Sequence, residues 1–198
     1  MDWITTSTLL TRLNDFDDNA AWTRFAGRFR QPLVAFARSL GLGAGDAEDV
    51  AQESLLAFAQ AYRAGEYEIG KGRLSRWLFG IAYRKALDAR RERARREAKI
   101  GVGVGASSFW EDVPDEQAAT TLWDVTWERT LLAQCLDQVR REVEPLTFRA
   151  FELAGLEQRP APDVAAELGV PVKLVYNAKH RVLKRVRELR EELDHVVG

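Results

Sequence analysis

The 198-residue chain contains one cysteine, Cys135, so it can close no intrachain disulfide and build no multi-cysteine zinc site. On an apolar helical face, that thiol is expected to be a small core residue. Histidine is nearly as scarce: His180 and His195 lie far along the chain from any candidate catalytic serine, so no nucleophile is paired with a base. No segment is long and apolar enough to cross a bilayer. The start, Met1 to Thr6, lacks the basic-then-apolar order of a secretory leader. The chain is therefore expected to be cytoplasmic. Strand-like alternation is missing as well, and nearly every periodic segment has the helical period, so an all-α fold is expected.

The length allows one large or two small domains, each able to bury a core. A formal charge of −1 conceals strong segregation. Acid gathers at Asp15 to Asp18, Asp46 to Glu53 and Glu111 to Glu128, and base gathers at Arg84 to Lys99 and Lys173 to Arg190. Blocks of opposite sign imply separate surfaces for separate partners.

Thr5 to Thr8, ahead of Leu9 and Leu10, predict a short capped helix. A second helix is expected over Ala20 to Leu40, with Trp22, Phe25, Phe29, Leu33 and Phe36 recurring at steps of three and four. Pro32 either kinks it or divides it. After Gly41 to Gly45, a helix opens on Asp46 to Asp49, with carboxylates at its positive end, and runs to about Tyr62 as a buried central element. A glycine-rich turn, Gly65 to Gly72, leads into a long helix over Ser75 to Lys99. Its first half is expected to bury Leu74, Trp77, Leu78 and Ile81, and its second half is cationic. Gly80 inside it costs about 1 kcal/mol relative to alanine and predicts close backbone packing there.

Residues 100–122, with a Gly-Val-Gly-Val-Gly run and then acid, are expected to be a flexible linker between domains 1–99 and 123–198. Its acid, Glu111, Asp112, Asp115 and Glu116, suits solubility alone, a segment that follows a basic channel, or one that masks the basic helices in the free protein. Leu131, Leu132, Leu136, Val139 and Val143 predict the first helix of the second domain, and Thr147 to Leu156 the next, beyond Pro145.

The C-terminal stretch reads as a helix-turn-helix. Asp163 suits a first helical turn, Gly169 a left-handed stop, and Pro171 the first position of the next helix. Val175, Ala178, Val182, Val186, Leu189 and Leu193 make one apolar stripe; Lys173, Asn177, His180, Lys184 and Arg187 make the opposite, cationic one. The spacing of Ala165, Gly169 and Val175 fits close helix approach, a turn and packing beneath. A short helix, a turn and a longer basic helix are the parts that read duplex DNA.

Two further constellations carry chemistry. On a helix, Asp49 and Glu53 share one face while Glu48 and Gln52 share another, and like charges so spaced want a cation or a basic partner. A metal-dependent hydrolase needs facing carboxylates from a second helix, and the neighbouring candidate helix offers bases instead. Neither an enzyme nor a cofactor is expected. Over Arg73 to Arg91, Arg76, Tyr83 and Arg90 fall on one face beside Arg84 and Arg91. Cations interleaved with aromatics suit nucleic acid, since cations meet phosphates and rings stack on exposed bases. Phe79 is expected to be core.

In this order, Asp46-Ala-Glu-Asp-Val-Ala-Gln-Glu53 with Phe58, then Arg76-Trp-Leu-Phe-Gly-Ile-Ala-Tyr-Arg-Lys-Ala-Leu-Asp88, then Val164 to Arg181, resemble the extracytoplasmic-function group of the bacterial sigma-70 family. The resemblance covers about Trp22 to Glu97 and Leu131 to Leu193. It implies a sigma region 2-like helical bundle and a region 4-like helix-turn-helix in a transcription initiation factor. Asp46, Glu48, Asp49, Gln52, Glu53 and Phe58 would dock on the largest-subunit clamp of core RNA polymerase. Arg73, Arg76, Trp77, Tyr83, Arg84, Lys85, Arg90 and Arg91 would engage and melt the −10 promoter element. Lys173, Leu174, Tyr176, Asn177, Lys179, His180, Arg181, Lys184 and Arg185 would meet the −35 element, and the polymerase flap and an anti-sigma factor are further implied partners.

Two departures bear on specificity. Arg84 stands where many members have asparagine, and Leu174, Tyr176 and Ala178 replace the more usual threonine, lysine and arginine, so promoter sequence does not carry over. The alternative is a stand-alone helix-turn-helix regulator that binds operator DNA without polymerase, which leaves Asp46 to Glu53 without a role.

Overall fold

A computed structural model describes residues 6–67, 73–100 and 115–194. Among these, every regular element is helical. They divide into two compact units, one extending to Thr130 and one from Leu131 to Asp194. No described helix is long and apolar enough to cross a membrane.

The N-terminal unit begins with α1, Thr6–Arg12, and α2, Asn19–Ser39. Asp18 caps α2 by accepting the Ala21 N–H at 2.9 Å, and Arg12 lies 2.6 Å from the same carboxylate. Pro32 neither divides nor ends α2, and its ring is buried in the core. Helix α3, Ala44–Arg63, follows the turn in which Gly41 takes φ 84°, and the Tyr62 hydroxyl ties it to α1 by donating to the Leu10 carbonyl at 2.8 Å. Helix α4 spans Leu74–Ile100.

The core of this unit is aromatic. Phe25 stacks on Phe58 with centroids 4.5 Å apart, and Phe58 meets Trp77 edge-on at 5.4 Å. Fully buried Ala47, Ala51, Ala82 and Ala86 leave room for helix backbones to approach. Gly80 does not repeat that logic. A Cβ built there meets nothing within 4 Å, so the close packing expected from the sequence is absent.

The segment read as linker, residues 100–122, overlaps a helix. Helix α5 runs over Glu116–Glu142, beginning inside the segment read as linker, of which 101–114 lie outside the described residues. Trp123 is 1% exposed and meets Phe36 edge-on at 5.1 Å, while Trp127 stacks on Phe29 at 5.6 Å. Two large indoles are worth more to an aromatic core than to solvent, and they draw α5 up to Thr130 into the N-terminal unit.

In the C-terminal unit, α5 buries Leu131, Cys135 and Val139, whereas Leu132, expected in the same stripe, is 49% exposed. Helix α6, Pro145–Phe151, starts with Pro145 in its first turn and runs into a π turn over Glu152–Leu156. Gly155 permits the wide turn, for a Cβ there would lie 2.7 Å from the Phe151 ring. Helices α7, Ala161–Leu168, and α8, Val172–Asp194, complete the unit around Leu153, Ala154, Val164, Ala165 and Val175.

Candidate nucleic-acid interface

The helix-turn-helix takes its shape from one glycine. Gly169 adopts φ 65°, the Val170 N–H returns to the Ala165 carbonyl at 3.0 Å, and α7 stops there. Pro171 sits one residue ahead of α8, where its missing N–H costs nothing. Val175, Ala178, Val182, Val186 and Leu189 are buried as their spacing predicts, and the side chain of Leu193 lies outside those described.

Burial of that stripe turns Lys173, Tyr176, Asn177, Lys179, His180, Arg181 and Lys184 outward. Tyr176 is 60% exposed, an aromatic face presented to solvent. Lys173, Asn177 and Arg181, one turn apart, line a cleft of about 400 Å³ with Thr147, Pro171, Leu174 and Ala178. Thr147 belongs to α6, and no local sequence signal places it at this cleft. Leu174 is half-buried, so it shapes the cleft floor more than it projects.

Arg185 departs from the expected contact set. Its guanidinium lies 2.7 Å from Glu142, 3.3 Å from Glu188 and 3.7 Å from Glu192. Hydrogen bonding to Arg185 holds the Glu142 carboxyl below the usual carboxylate range, and Glu142 in turn raises Arg185. A cation so engaged by carboxylates has little left to offer a phosphate. Lys184 keeps a longer, 4.0 Å approach to Glu188.

In the N-terminal unit, α3 presents Asp49, Gln52 and Glu53 to solvent, with Asp46 and Glu48 half-buried beside them. Phe58, expected among the contact residues, is 0% exposed and stacked on Phe25 and Tyr62. It supports the helix from beneath. The acids meet cations that sequence spacing does not reveal: Arg30 lies 2.7 Å from Glu48, Lys85 lies 3.0 Å from Glu53, and Arg96 lies 4.0 Å from Asp46. Lys85, expected on the nucleic-acid face, therefore points toward the acidic one.

On α4, Arg73, Arg76, Arg84 and Arg91 are exposed. Phe79 is core, 5% exposed, and Tyr83 stacks flat on it at 5.6 Å and is half-buried. Trp77 is half-buried against Phe58 and Tyr67, which leaves it a supporting ring. The Arg90 guanidinium donates to the Leu40 carbonyl at 2.7 Å and satisfies the C-terminal end of α2. Arg91 lies 3.0 Å from Asp88. Arg76 reaches Thr120 of α5 at 3.3 Å, with its guanidinium 5.9 Å from the Phe79 ring centroid.

The unit thus sets an acidic face on α3 beside a cationic face with a half-buried aromatic ring on α4. Such an arrangement can hold a basic protein surface and a nucleic-acid strand at once. No curated protein matches the chain. Residues 25–96, which hold most of α2, all of α3 and most of α4, match the family model of sigma-70 region 2, and this part of the chain is a sigma-70 region 2 domain, which supports a role in transcription initiation.

Proposed function

We propose that the protein is a dissociable transcription initiation factor of the extracytoplasmic-function type, acting in the cytoplasm on core RNA polymerase and promoter DNA. The observation that carries this reading is the order of parts: a sigma-70 region 2 at residues 25–96, then a glycine-stopped helix-turn-helix whose second helix turns cations outward. The acidic face of α3 docks on the polymerase clamp, with exposed Asp49 and Glu53 as its leading contacts. Arg73, Arg76, Arg84 and Arg91 engage the −10 phosphates, and Tyr83 supports an unstacked base. Base–aromatic stacking of roughly 1–3 kcal/mol offsets part of the unstacking cost.

The C-terminal unit reads the −35 element through Lys173, Asn177, His180 and Arg181, and meets the polymerase flap. An anti-sigma protein is a further partner on family grounds. The protein catalyses no reaction itself. Adding the purified chain to core polymerase and promoter-bearing DNA is expected to give initiation at specific sites. No initiation from any genomic fragment would overturn the proposal, and tight operator binding by the chain alone would favour a stand-alone regulator.

A further inference from the structure

Two exposed apolar side chains stand one turn apart at the start of α8. Val172 opens the helix at 37% exposed, and Tyr176 is 60% exposed. Packing does not account for them, because the buried stripe of α8 is Val175, Ala178 and Val182. Pairing does not either. Among the described residues the Tyr176 ring meets no other ring, and its hydroxyl has no hydrogen-bond partner. Tyr176 also stands where lysine is usual in the family that the chain resembles, so its role does not carry over from that family.

The surroundings of the pair identify what it meets. Lys173, Lys179 and His180 lie within a turn of the ring and are exposed, and α8 carries no acidic residue before Glu188. The centre of a protein-binding patch is depleted in charge, whereas a cationic helix seeks phosphates. The first turns of the second helix in a helix-turn-helix are the part that reaches base edges in the major groove. Base pairs offer donors and acceptors there, and the apolar group on offer is the 5-methyl of thymine. Val172 and Tyr176 are about 6 Å apart along the helix axis, on the order of two base-pair steps, so they suit thymines that lie close together.

We propose that Tyr176, supported by Val172, is a specificity-determining residue that reads thymine through its 5-methyl group in the major groove. This inference rests on the reading of α8 as the duplex-binding helix. It places thymine in the upstream element beneath the start of α8.

The test loads the full chain on core polymerase and selects bound duplexes from a random-sequence pool. The selected duplex is then made with uracil, which lacks only the 5-methyl group, replacing thymine at one position at a time. Uracil is expected to weaken binding about fourfold at one or two positions, as for the loss of one buried methyl group. Tyr176→Ala is expected to weaken binding of the thymine duplex to a similar extent and to erase the difference between thymine and uracil. Tyr176→Phe is expected to keep both, because the ring and not the hydroxyl meets the methyl group. Equal binding of thymine and uracil duplexes at every position overturns the proposal, as does a selected sequence without thymine or a difference that survives in Tyr176→Ala. Weaker co-sedimentation of Tyr176→Ala with polymerase in the absence of DNA, with that difference intact, assigns the apolar pair to a protein surface instead. Lys173→Ala combined with Arg181→Ala separates these outcomes from failure of the underlying reading. If the double variant binds the selected duplex unchanged, or the pool yields no preferred sequence, the assignment of α8 fails and the inference falls with it. If the double variant weakens binding while uracil has no effect, only the thymine reading fails.

Discussion

The Lys85 ammonium lies 3.0 Å from the Glu53 carboxylate, joining the cationic helix α4 to the acidic helix α3. Both side chains are well exposed, so the pair contributes less than about 1 kcal/mol to folding. Its weight lies in charge placement, because each partner that binds has to compete with the other's neutralising residue.

Charge reversal at Asp49 with Glu53 is therefore expected to weaken core polymerase binding by at least about tenfold, a difference of roughly 1.4 kcal/mol. Thermal stability should barely move, and duplex binding through α8 should be retained. Loss of both polymerase and duplex binding, read by gel shift and co-sedimentation, would point to misfolding and sink the assignment.

Two glycines in helical turns should respond oppositely to alanine. At Gly80 nothing lies within 4 Å of an added Cβ, so Gly80→Ala is expected to stabilise the chain by about 1 kcal/mol. At Gly155 the added carbon lies 2.7 Å from the Phe151 ring, so Gly155→Ala is expected to destabilise by about 1–3 kcal/mol. Urea titration of both variants distinguishes them, and equal signs would contradict the packing described.

Acid should loosen the C-terminal unit through Glu142. Arg185 holds its carboxyl below the ordinary value of 4.5, so the pair stabilises the fold above that pH. That stabilisation is lost as pH falls through the depressed folded value. Arg185→Gln is expected to remove this part of the acid dependence and little else, an effect within about 1 kcal/mol given solvent screening. A wild-type acid limb in the variant, followed by circular dichroism from neutral pH downward, would refute the coupling.

DNA binding should separate Arg181 from Arg185 although four residues, about one helical turn, divide them. Arg181 lines the open cleft with Lys173 and Asn177, whereas Arg185 is engaged by Glu142, Glu188 and Glu192. Arg181→Ala is expected to reduce the salt dependence of duplex binding by about one counterion, and Arg185→Ala to leave the slope unchanged. Asn177→Ala should relax base preference at one position, by about 1–3 kcal/mol if it pairs with adenine. Equal salt slopes for the two arginine variants would show that the carboxylates do not hold Arg185.

Much of this was legible in the chain. The aromatic period of α2, the acidic opening of α3, the basic length of α4 and the Gly169 stop are local patterns, and the structure reproduces each within a few residues. Phe58 shows where pattern fails, since a motif position and a core position look alike until Phe25 is found stacked on it. Arg185 is alike in this: it stands in a basic run, and its ion pair with Glu142, distant in sequence, is visible only in the fold. The helical spacing of Trp123 and Trp127 shows that they are buried without showing in which core.

Helical periodicity, glycine stops and segregated charge are properties of neighbours along the chain, and they determined an all-α protein with a glycine stop at the end of α7 and acidic and basic faces on α3 and α4. Pairing across helices is set by which side chains meet in space. Only the tertiary structure decided that Lys85 answers Glu53, that Arg90 closes α2 at Leu40, and that the first part of α5 packs onto the N-terminal unit. The acidic stretch after Gly105, read as linker, thus has its last turns seated by Thr120 and Trp123 beside Arg76 and Phe79.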